Sequence, residues 1–458
     1  MTAIADANAI AALPLPPPNP LRYRQRLADV RDTAEGVRRL CAAGGPVTSV
    51  TLGPRWLAPT LVFVSSAQGA HDVLARRDGG TDRAALPSFK ELRYVVGANL
   101  LNLDHEHWVP RRRAMQPIFS KQNVTQFGAH IVDATEDLSR RWRAGTEVDL
   151  AADTRAMTMS ALSRSFLGRD LAAESQAVGA GMHAAFLWAM HRSMAPARVP
   201  AWLPTPAQRR AYRGSAVLHR YAAEVLKTCR TNPDHDAPIV HALIAARDPD
   251  TGEALSDNDI CDELTMFLFG GHDTLTMLLV SALWMLGKHP EAQRRVADEA
   301  RGVGGRALTA ADVPSLGYTV QVLHEALRLY PPGPAVPRLV CKDIEIDGYR
   351  VQAGTVVIVA AYAMHRDPAM WRDPLRFDPD RFRPELAERI DRWQYLPFGG
   401  GPHRCMGDHF AMLEATLALA TVVRDIEFTA LRDELPITTT MTMQPSGPVP
   451  MRVRRRPS

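Results

Sequence analysis

The chain has 458 residues, of which 46% are hydrophobic and 23% charged, with a formal net charge of +4. That charge is too small to argue for a nucleic-acid partner, and the composition is that of a globular protein able to bury a large core. The five cysteines (41, 229, 261, 341 and 405) are scattered and form no C-x-x-C, which excludes a disulfide framework and suits a reducing cytosol.

The N-terminus shows no basic region followed by an apolar run, so no secretory leader is expected. It is Ala-rich and then proline-rich, LPLPPPNP over 13–20, and reads as an extended arm of residues 1–20 lying on the surface. Residues 21–46 carry a helical pattern (Leu27, Val30, Ala34, Val37, Leu40) that ends at Gly44-Gly45. Two short strands follow, near 47–52 and 60–64, separated by the Gly53-Pro54 turn. Helical segments dominate from 67 to about 330. The proline-rich stretch Pro196–Pro206, with Trp188 and Trp202 beside it, interrupts them, and Asn232–Pro238 is a polar linker.

The longest apolar run, Leu264–Leu286, could span a bilayer by length, but His272 and Asp273 lie inside it. Ionisable groups there are costly in lipid, so a buried helix of a soluble protein fits better. Ser256 and Asp259 stand at capping-box spacing before this run and Pro290 follows it, which predicts one helix over 256–288. From 337 to 362 the pattern turns to strands, with an Asp347-Gly348 hairpin turn between Ile346 and Val351. Residues 363–396 read as mostly irregular. A last helix (Phe410, Leu413, Leu417, Ala420) and a final β-like segment close the chain. No internal repeat is present and no linker insists on separate domains.

Three places carry candidate chemistry. The first is Phe398–Gly407, FGGGPHRCMG, where three glycines precede a lone cysteine. Cys405 in isolation reads as a packed thiol or as a ligand. The glycines, His403 and Arg404 offer the backbone N–H groups and positive charge that keep a thiolate ionised. One thiolate without a second cysteine disfavours zinc and iron–sulfur clusters and leaves a haem iron as the leading chemistry. The second is the middle of the 256–288 helix, Gly270-Gly271-His272-Asp273-Thr274. Two interior glycines cost about 1 kcal/mol each relative to alanine, which either close helix packing or a flat cofactor would offset. The third is Glu325 and Arg328, three apart on one helix face, which alone suggest an exposed ion pair.

Together these sites resemble the cytochrome P450 superfamily of haem-thiolate monooxygenases, over nearly the whole chain and in the right order. FGGGPHRCMG is similar to the family's cysteine-loop signature, GGHDT at 270–274 to its oxygen-activation motif, and Glu325-Ala-Leu-Arg328 to its E-x-x-R. Phe377-Asp-Pro-Asp-Arg381-Phe382, HRDP at 365–368, and Trp108 with Arg112 complete the set. The resemblance implies a mainly α fold with a smaller β-sheet region, a single large domain over 21–458, and haem b between a long distal helix and the proximal cysteine loop.

It further implies roles. Cys405 would be the proximal iron ligand. Trp108, Arg112, Arg338 and His403 match positions that bind the haem propionates, and Phe398, Gly407, Gly270 and Gly271 would lie against the cofactor. His403 stands where Arg is commoner and would make that contact pH-sensitive. Glu325, Arg328 and Arg381 match a buried structural triad, which replaces the exposed-pair reading. Thr274 would bond the bound oxygen, Asp273 would feed protons through water, and the two glycines would let the helix open to admit them. The implied activity inserts one oxygen atom from O2 into a hydrophobic substrate: a fatty acid, terpenoid, steroid or polyketide-like molecule. Its pocket would draw on the 86–100 loop, the 182–203 region, Met266–Phe267, Ala335–Val336 and Met441–Met443. Electrons would come from a ferredoxin or flavodoxin with its NAD(P)H reductase, docked on a basic patch of Arg111, Arg112, Arg113 and Arg404. The alternative is a haem-thiolate peroxygenase or isomerase that needs no external electrons, against which the Asp273-Thr274 pair argues. A soluble, cytoplasmic monomer is expected.

Overall fold

The helix expected over 256–288 forms as Asp257–Lys288 and is the axis of the molecule. The computed structural model describes residues 7–32, 34–53, 59–142, 145–195, 203 and 205–456. Trp202, Pro54 and most of the proline-rich stretch at 196–206 lie outside them. Ser256 Oγ accepts the Asp259 N–H at 3.2 Å and Asp259 accepts the Ser256 N–H at 3.1 Å, so the capping box closes. At 1.5 Å per residue, the 32 residues span about 48 Å. From Leu275 to Leu286 every residue is buried, the mark of a helix apolar all round. Among the described residues it alone is long and apolar enough to cross a membrane, and 72% of its most apolar window is buried inside the protein. Helices Leu150–Leu167, Pro206–Thr231, Gly317–Leu329 and Asp408–Asp425 pack around it.

The helix runs unbroken through Gly270-Gly271. A Cβ on Gly271 would sit 3.0 Å from Leu162 of the Leu150–Leu167 helix. That glycine therefore serves helix-on-helix packing and does not face a cofactor. A Cβ on Gly270 would meet only Met266 Cε, at 3.1 Å, one turn back on the same helix.

The strands gather beside this helical body. Val47–Val50, Leu61–Val64, Val356–Val359, Val336–Val340 and Thr81–Asp82 form one sheet in that order. Leu61–Val64 runs parallel to Val356–Val359, and the other pairs are antiparallel. The predicted hairpin pairs Ile344–Ile346 with Tyr349–Val351. Asp347 (φ 49°) and Gly348 (φ 80°) are both left-handed, as a two-residue hairpin turn requires. The C-terminal strand Pro450–Arg455 lies between Glu147–Asp149 and Ile426–Ala430.

Three further expectations change in detail. The pattern over 21–46 forms two helices, Tyr23–Arg31 and Glu35–Gly44. They meet where a Cβ on Gly36 would lie 2.1 Å from Asp29 O, and the Arg39–Asp29 ion pair at 2.7 Å ties them. Within the N-terminal arm, Ala7–Ala12 is helical, as its alanines favour. Beyond it the chain is extended and bonds to the sheet region: Pro14 O accepts Arg350 N–H, Pro17 O accepts Ser49 N–H, and Ser49 O accepts Asn19 N–H, each at 2.8 Å. Most of the 86–100 loop is a helix, Pro87–Val96, with proline at its first position where a missing N–H costs nothing.

Candidate active site

The cysteine loop takes a path that only glycine permits at two points. Gly399 and Gly401 have φ of 69° and 68°. A Cβ on Gly401 would also stand 1.9 Å from Leu74 O. Gly400 packs under Trp393, whose Cζ3 would be 2.6 Å from an added Cβ. The loop closes on itself where Cys405 N–H donates to Phe398 O at 2.9 Å. The helix Asp408–Asp425 starts immediately after Gly407, and its residues Phe410, Leu413, Leu417 and Ala420 are buried as the sequence pattern predicts. Cys405 combines two properties. Its surface is open, yet protein crowds it enough to raise the thiol pKa by burial, with Asp408 adding to the rise. The Gly407 N–H bonds the sulfur, and Arg112 and Arg404 also favour the thiolate. An accessible sulfur deep among protein atoms faces a hollow, not a packed core.

Beside it a basic cluster assembles from four separate segments. His403 lies against Trp108, ring centroids 4.0 Å apart and planes tilted by 39°. Arg112, one turn after Trp108 on the helix His105–Met115, reaches toward that ring and toward Cys405. Arg338 comes from the strand Val336–Val340, buried at 4% exposure. The sequence reading missed a fifth member, Arg83. The pairing of Asp82 with Leu339 places it next to Arg338, a long-range register that no local motif announces. Burial together with the neighbouring arginines lowers Arg83 to about 9. Burial also lowers Arg338 to about 10, with Asp82 the acid that opposes it. Burial, with the neighbouring cations adding to it, lowers His403 to about 3. Arg83 Nε and His403 Nδ1 are buried and find no hydrogen-bond partner among the described residues. Cations gathered this way, with few acids and with orphaned donors, form a receptor for an anionic group.

The brace behind the loop is fully assembled. Arg328 donates to both oxygens of Glu325, at 2.7 and 2.8 Å, with both side chains at 0% exposure. Its remaining donors go to the carbonyls of His365, Pro374 and Arg376. Glu325 also accepts the Asp378 N–H at 2.9 Å and has Arg381 Nε at 3.5 Å. The exposed pair suggested by spacing alone is thus a buried pair, with Arg381, partly exposed, at its edge.

On the distal helix, Thr274 donates its hydroxyl back to Gly270 O at 2.5 Å. Asp273 is 5% exposed, and its Oδ1 has no partner. Burial raises its carboxyl to about 6, while Arg155 pulls it the other way. His272 bonds Thr158 Oγ1 at 3.2 Å and is held neutral by burial. Glu414, on the helix behind the cysteine loop, was also missed. It is fully buried, and burial drives its carboxyl pKa far up. The only sequence signal for it is one acid among Leu413, Leu417 and Leu419.

Two expectations fail here. The arginine run does not form one patch, because residues i, i+1 and i+2 of a helix face different ways. Arg111 pairs with Asp259 and Glu263, Arg113 with Asp248 and Asp250, and Arg404 with Asp408. Of the expected pocket residues, Met443 is core, with its N–H on Pro332 O. Phe267 is half-buried and contacts the rings of Phe119 and Phe166, at 4.9 and 6.2 Å.

Comparison with known proteins agrees with this architecture. The family profile of cytochrome P450 matches residues 14–452. Cyclooctat-9-en-7-ol 5-monooxygenase of Streptomyces melanosporofaciens is 33% identical over 73% of this chain and 73% of its own. Pentalenene oxygenase of Streptomyces avermitilis is 28% identical over 83% of this chain and 90% of its own. The crystal structure of the cytochrome P450DA heme domain superposes with a TM-score of 0.83 at 24% identity, covering 97% of this chain and 98% of that one. A thiol open to a hollow, a buried ion-pair brace behind it and an acid–alcohol pair on the distal helix stand in one matching chain, which belongs to the cytochrome P450 family of haem-dependent monooxygenases.

Proposed function

We propose that the chain oxygenates a terpenoid-like hydrocarbon, with haem b held at Cys405 and electrons supplied by a separate ferredoxin or flavodoxin. The observation that carries this reading is Cys405 itself, an open sulfur set deep in protein beside a cluster of cations. The residues present fit the cofactor. Cys405 would ligate its iron, and the Gly407 N–H on the sulfur would tune that bond. Arg83, Arg112, Arg338, Trp108 and His403 would hold its two carboxylates, which suits the orphaned Arg83 Nε and His403 Nδ1. Phe398 and Gly270 would line it.

When bound, the haem supplies reduction of O2 and transfer of one oxygen atom to a C–H bond. The chain supplies orientation, exclusion of water and protons. Asp273 is the proton reservoir: with its carboxyl near 6 it exchanges protons readily around neutral pH, and its free Oδ1 can bond a water. Thr274 holds its hydroxyl proton on the Gly270 carbonyl and would be the donor nearest the distal side, able to release that bond to hold a proton for the reaction. Glu325, Arg328 and Arg381 fix the framework behind the cysteine loop.

The substrate class follows the relatives named for cyclooctat-9-en-7-ol and pentalenene. For the electron donor, Arg77 and Arg392 replace the arginine run. Both are exposed, carry no carboxylate partner among the described residues, and flank the groove in front of the cysteine loop with Trp393 and Arg404. A soluble cytosolic monomer, with residues 1–20 as an arm on a catalytic body of 21–458, completes the proposal.

The test is a reduced-CO difference spectrum of the wild type and Cys405→Ala, followed by product analysis with cyclic terpene hydrocarbons. A thiolate-haem band lost in the variant and an oxygenated product dependent on NAD(P)H and ferredoxin are expected. Faster turnover with H2O2 than with the electron-transfer system would favour a peroxygenase.

A further inference from the structure

Two members of the basic cluster, Arg83 and Arg112, are themselves not in the apolar core. On the helix His105–Met115, which carries Trp108 and Arg112, only Trp108, Ala114 and Met115 are buried. Arg83 lies just after a two-residue strand. Hydrogen bonds add to core packing in setting where these cations stand.

Both lead to one buried carboxylate on the distal helix. Glu263 Oε1 accepts the Leu100 N–H at 2.9 Å and receives Arg111 Nη1 at 3.4 Å. The carbonyl of the same Leu100 accepts Arg83 Nη2 at 2.6 Å. Arg111 directly precedes Arg112, and its other nitrogen pairs with Asp259, one turn before Glu263. Arg111 Nη1 also donates to Ala98 O at 2.8 Å, tying the helix to the 97–102 segment. Next to Glu263, Asp262 accepts the Ala98 N–H at 2.7 Å. Glu263 has 0% exposure. Burying a carboxyl this completely is costly, and here all its bonds fall on Oε1, while Oε2 has no partner among the described residues. It touches none of the cluster's cations directly.

We propose that Glu263 is a positioning residue for the haem-carboxylate cluster: through Leu100 it fixes Arg83, and through Arg111 it fixes the helix carrying Trp108 and Arg112. This inference rests on the haem reading above. It links the cofactor's carboxylate receptor to the helix that carries Asp273 and Thr274, so one rigid element aligns both sides of the site. The hydrogen-bond acceptor at Oε1 is the active feature. Glutamine preserves an acceptor there, and leucine removes it at similar volume.

The experiment measures transfer of haem from the holoenzyme to excess apomyoglobin, with the thermal midpoint and the iron midpoint potential in parallel. Glu263→Leu should release haem on the order of tenfold faster, the range found when outer partners of a bound metal are removed, and should shift the potential. Glu263→Gln should stay close to wild type. The increase should vanish when the proteins are reconstituted with haem dimethyl ester, which has no free carboxylates for the cluster to hold. A leucine variant that releases haem at the wild-type rate, or equally faster for the ester, overturns the proposal. Arg111→Gln, which cuts the helix tether and leaves the Leu100 bond, is the second variant should the leucine protein not fold. It should speed haem release for the acid and not for the ester, and no such difference also overturns the proposal. A reduced-CO thiolate band in the same samples separates this failure from failure of the haem reading, in which no such band would form.

Discussion

Two buried carboxylates define this molecule, and they are treated in opposite ways. Glu325 has both oxygens bonded by Arg328, a backbone N–H from Asp378, and Arg381 at its edge. Asp273 is nearly as buried but leaves Oδ1 without a partner, and the nearby Arg155 has a buried Nε in the same condition. A carboxylate with both oxygens bonded is rigid, because any movement leaves a buried charge uncompensated. A carboxyl with an open lone pair can take up a water and exchange a proton. The first arrangement is closed; the second leaves an acceptor free.

The sharpest way to break the comparison is to open the closed site. Arg328→Ala should destabilise the fold by about 3–5 kcal/mol, since it strands Glu325 and three backbone carbonyls in the core. Urea unfolding of the apo and haem-loaded proteins measures it, and a loss as small as that of a surface pair would refute the brace. At the open site, Asp273→Asn should leave folding and substrate binding intact while lowering turnover on the order of a hundredfold, the range of a general acid–base group. Unchanged turnover would remove Asp273 from the proton path.

The same contrast predicts a stability effect of defined sign. Burial raises the Asp273 carboxyl from an ordinary 3.8 to about 6. Below about 4 the group is protonated in both folded and unfolded chains, and it exacts no penalty. Between about 4 and 6 the unfolded chain loses its proton first, so stability falls as pH rises, and above 6 the full penalty remains. That displacement corresponds to roughly 3 kcal/mol. Asp273→Asn should therefore be more stable than wild type at pH 8 and no more stable at pH 4, as unfolding midpoints at the two pH values would show. A gain confined to low pH would mean that the carboxylate, not the acid, is the favoured buried form. Thr274→Ala should act more narrowly, keeping haem and substrate binding but diverting reducing equivalents to peroxide, read as peroxide formed per NAD(P)H consumed. Unchanged coupling would leave the hydroxyl with only its bond to Gly270.

How far these sites could be read from the sequence depends on how local their causes are. The capping box at Ser256, the Asp347-Gly348 hairpin and the glycines at 399 and 401 follow from bonds or torsions within a few residues, and they appear where the sequence places them. The order of the three motifs is enough to recognise the family. Arg83 was not legible because only the pairing of Asp82 with Leu339, across more than half the chain, brings it beside Arg338. Glu263 was hidden because an acid near a helix start ordinarily faces water. Gly271 had two readings, and only Leu162 in contact with it decides for packing. The Glu325–Arg328 spacing says that the two side chains share a face, not whether that face is covered.

The smallest expected effect tests the corrected arginine run. Arg113 is half-exposed and held by Asp248 and Asp250, so its charge is already balanced within the chain. Arg77 carries no such partner among the described residues and faces the groove before the cysteine loop. A charge at a docking rim acts mainly on the association rate and on its salt dependence. Arg113→Gln should therefore leave the rate of reduction by ferredoxin within about twofold of wild type at low ionic strength, while Arg77→Gln should slow it and flatten its dependence on salt. Stopped-flow reduction across a salt series distinguishes the two. If Arg113→Gln slows reduction and Arg77→Gln does not, the acids beside Arg113 fail to neutralise it and the donor docks over the helix His105–Met115 after all. The fast association of charged partners depends on unpaired charge, so the comparison of these two variants weighs pairing against the mere count of arginines in the sequence.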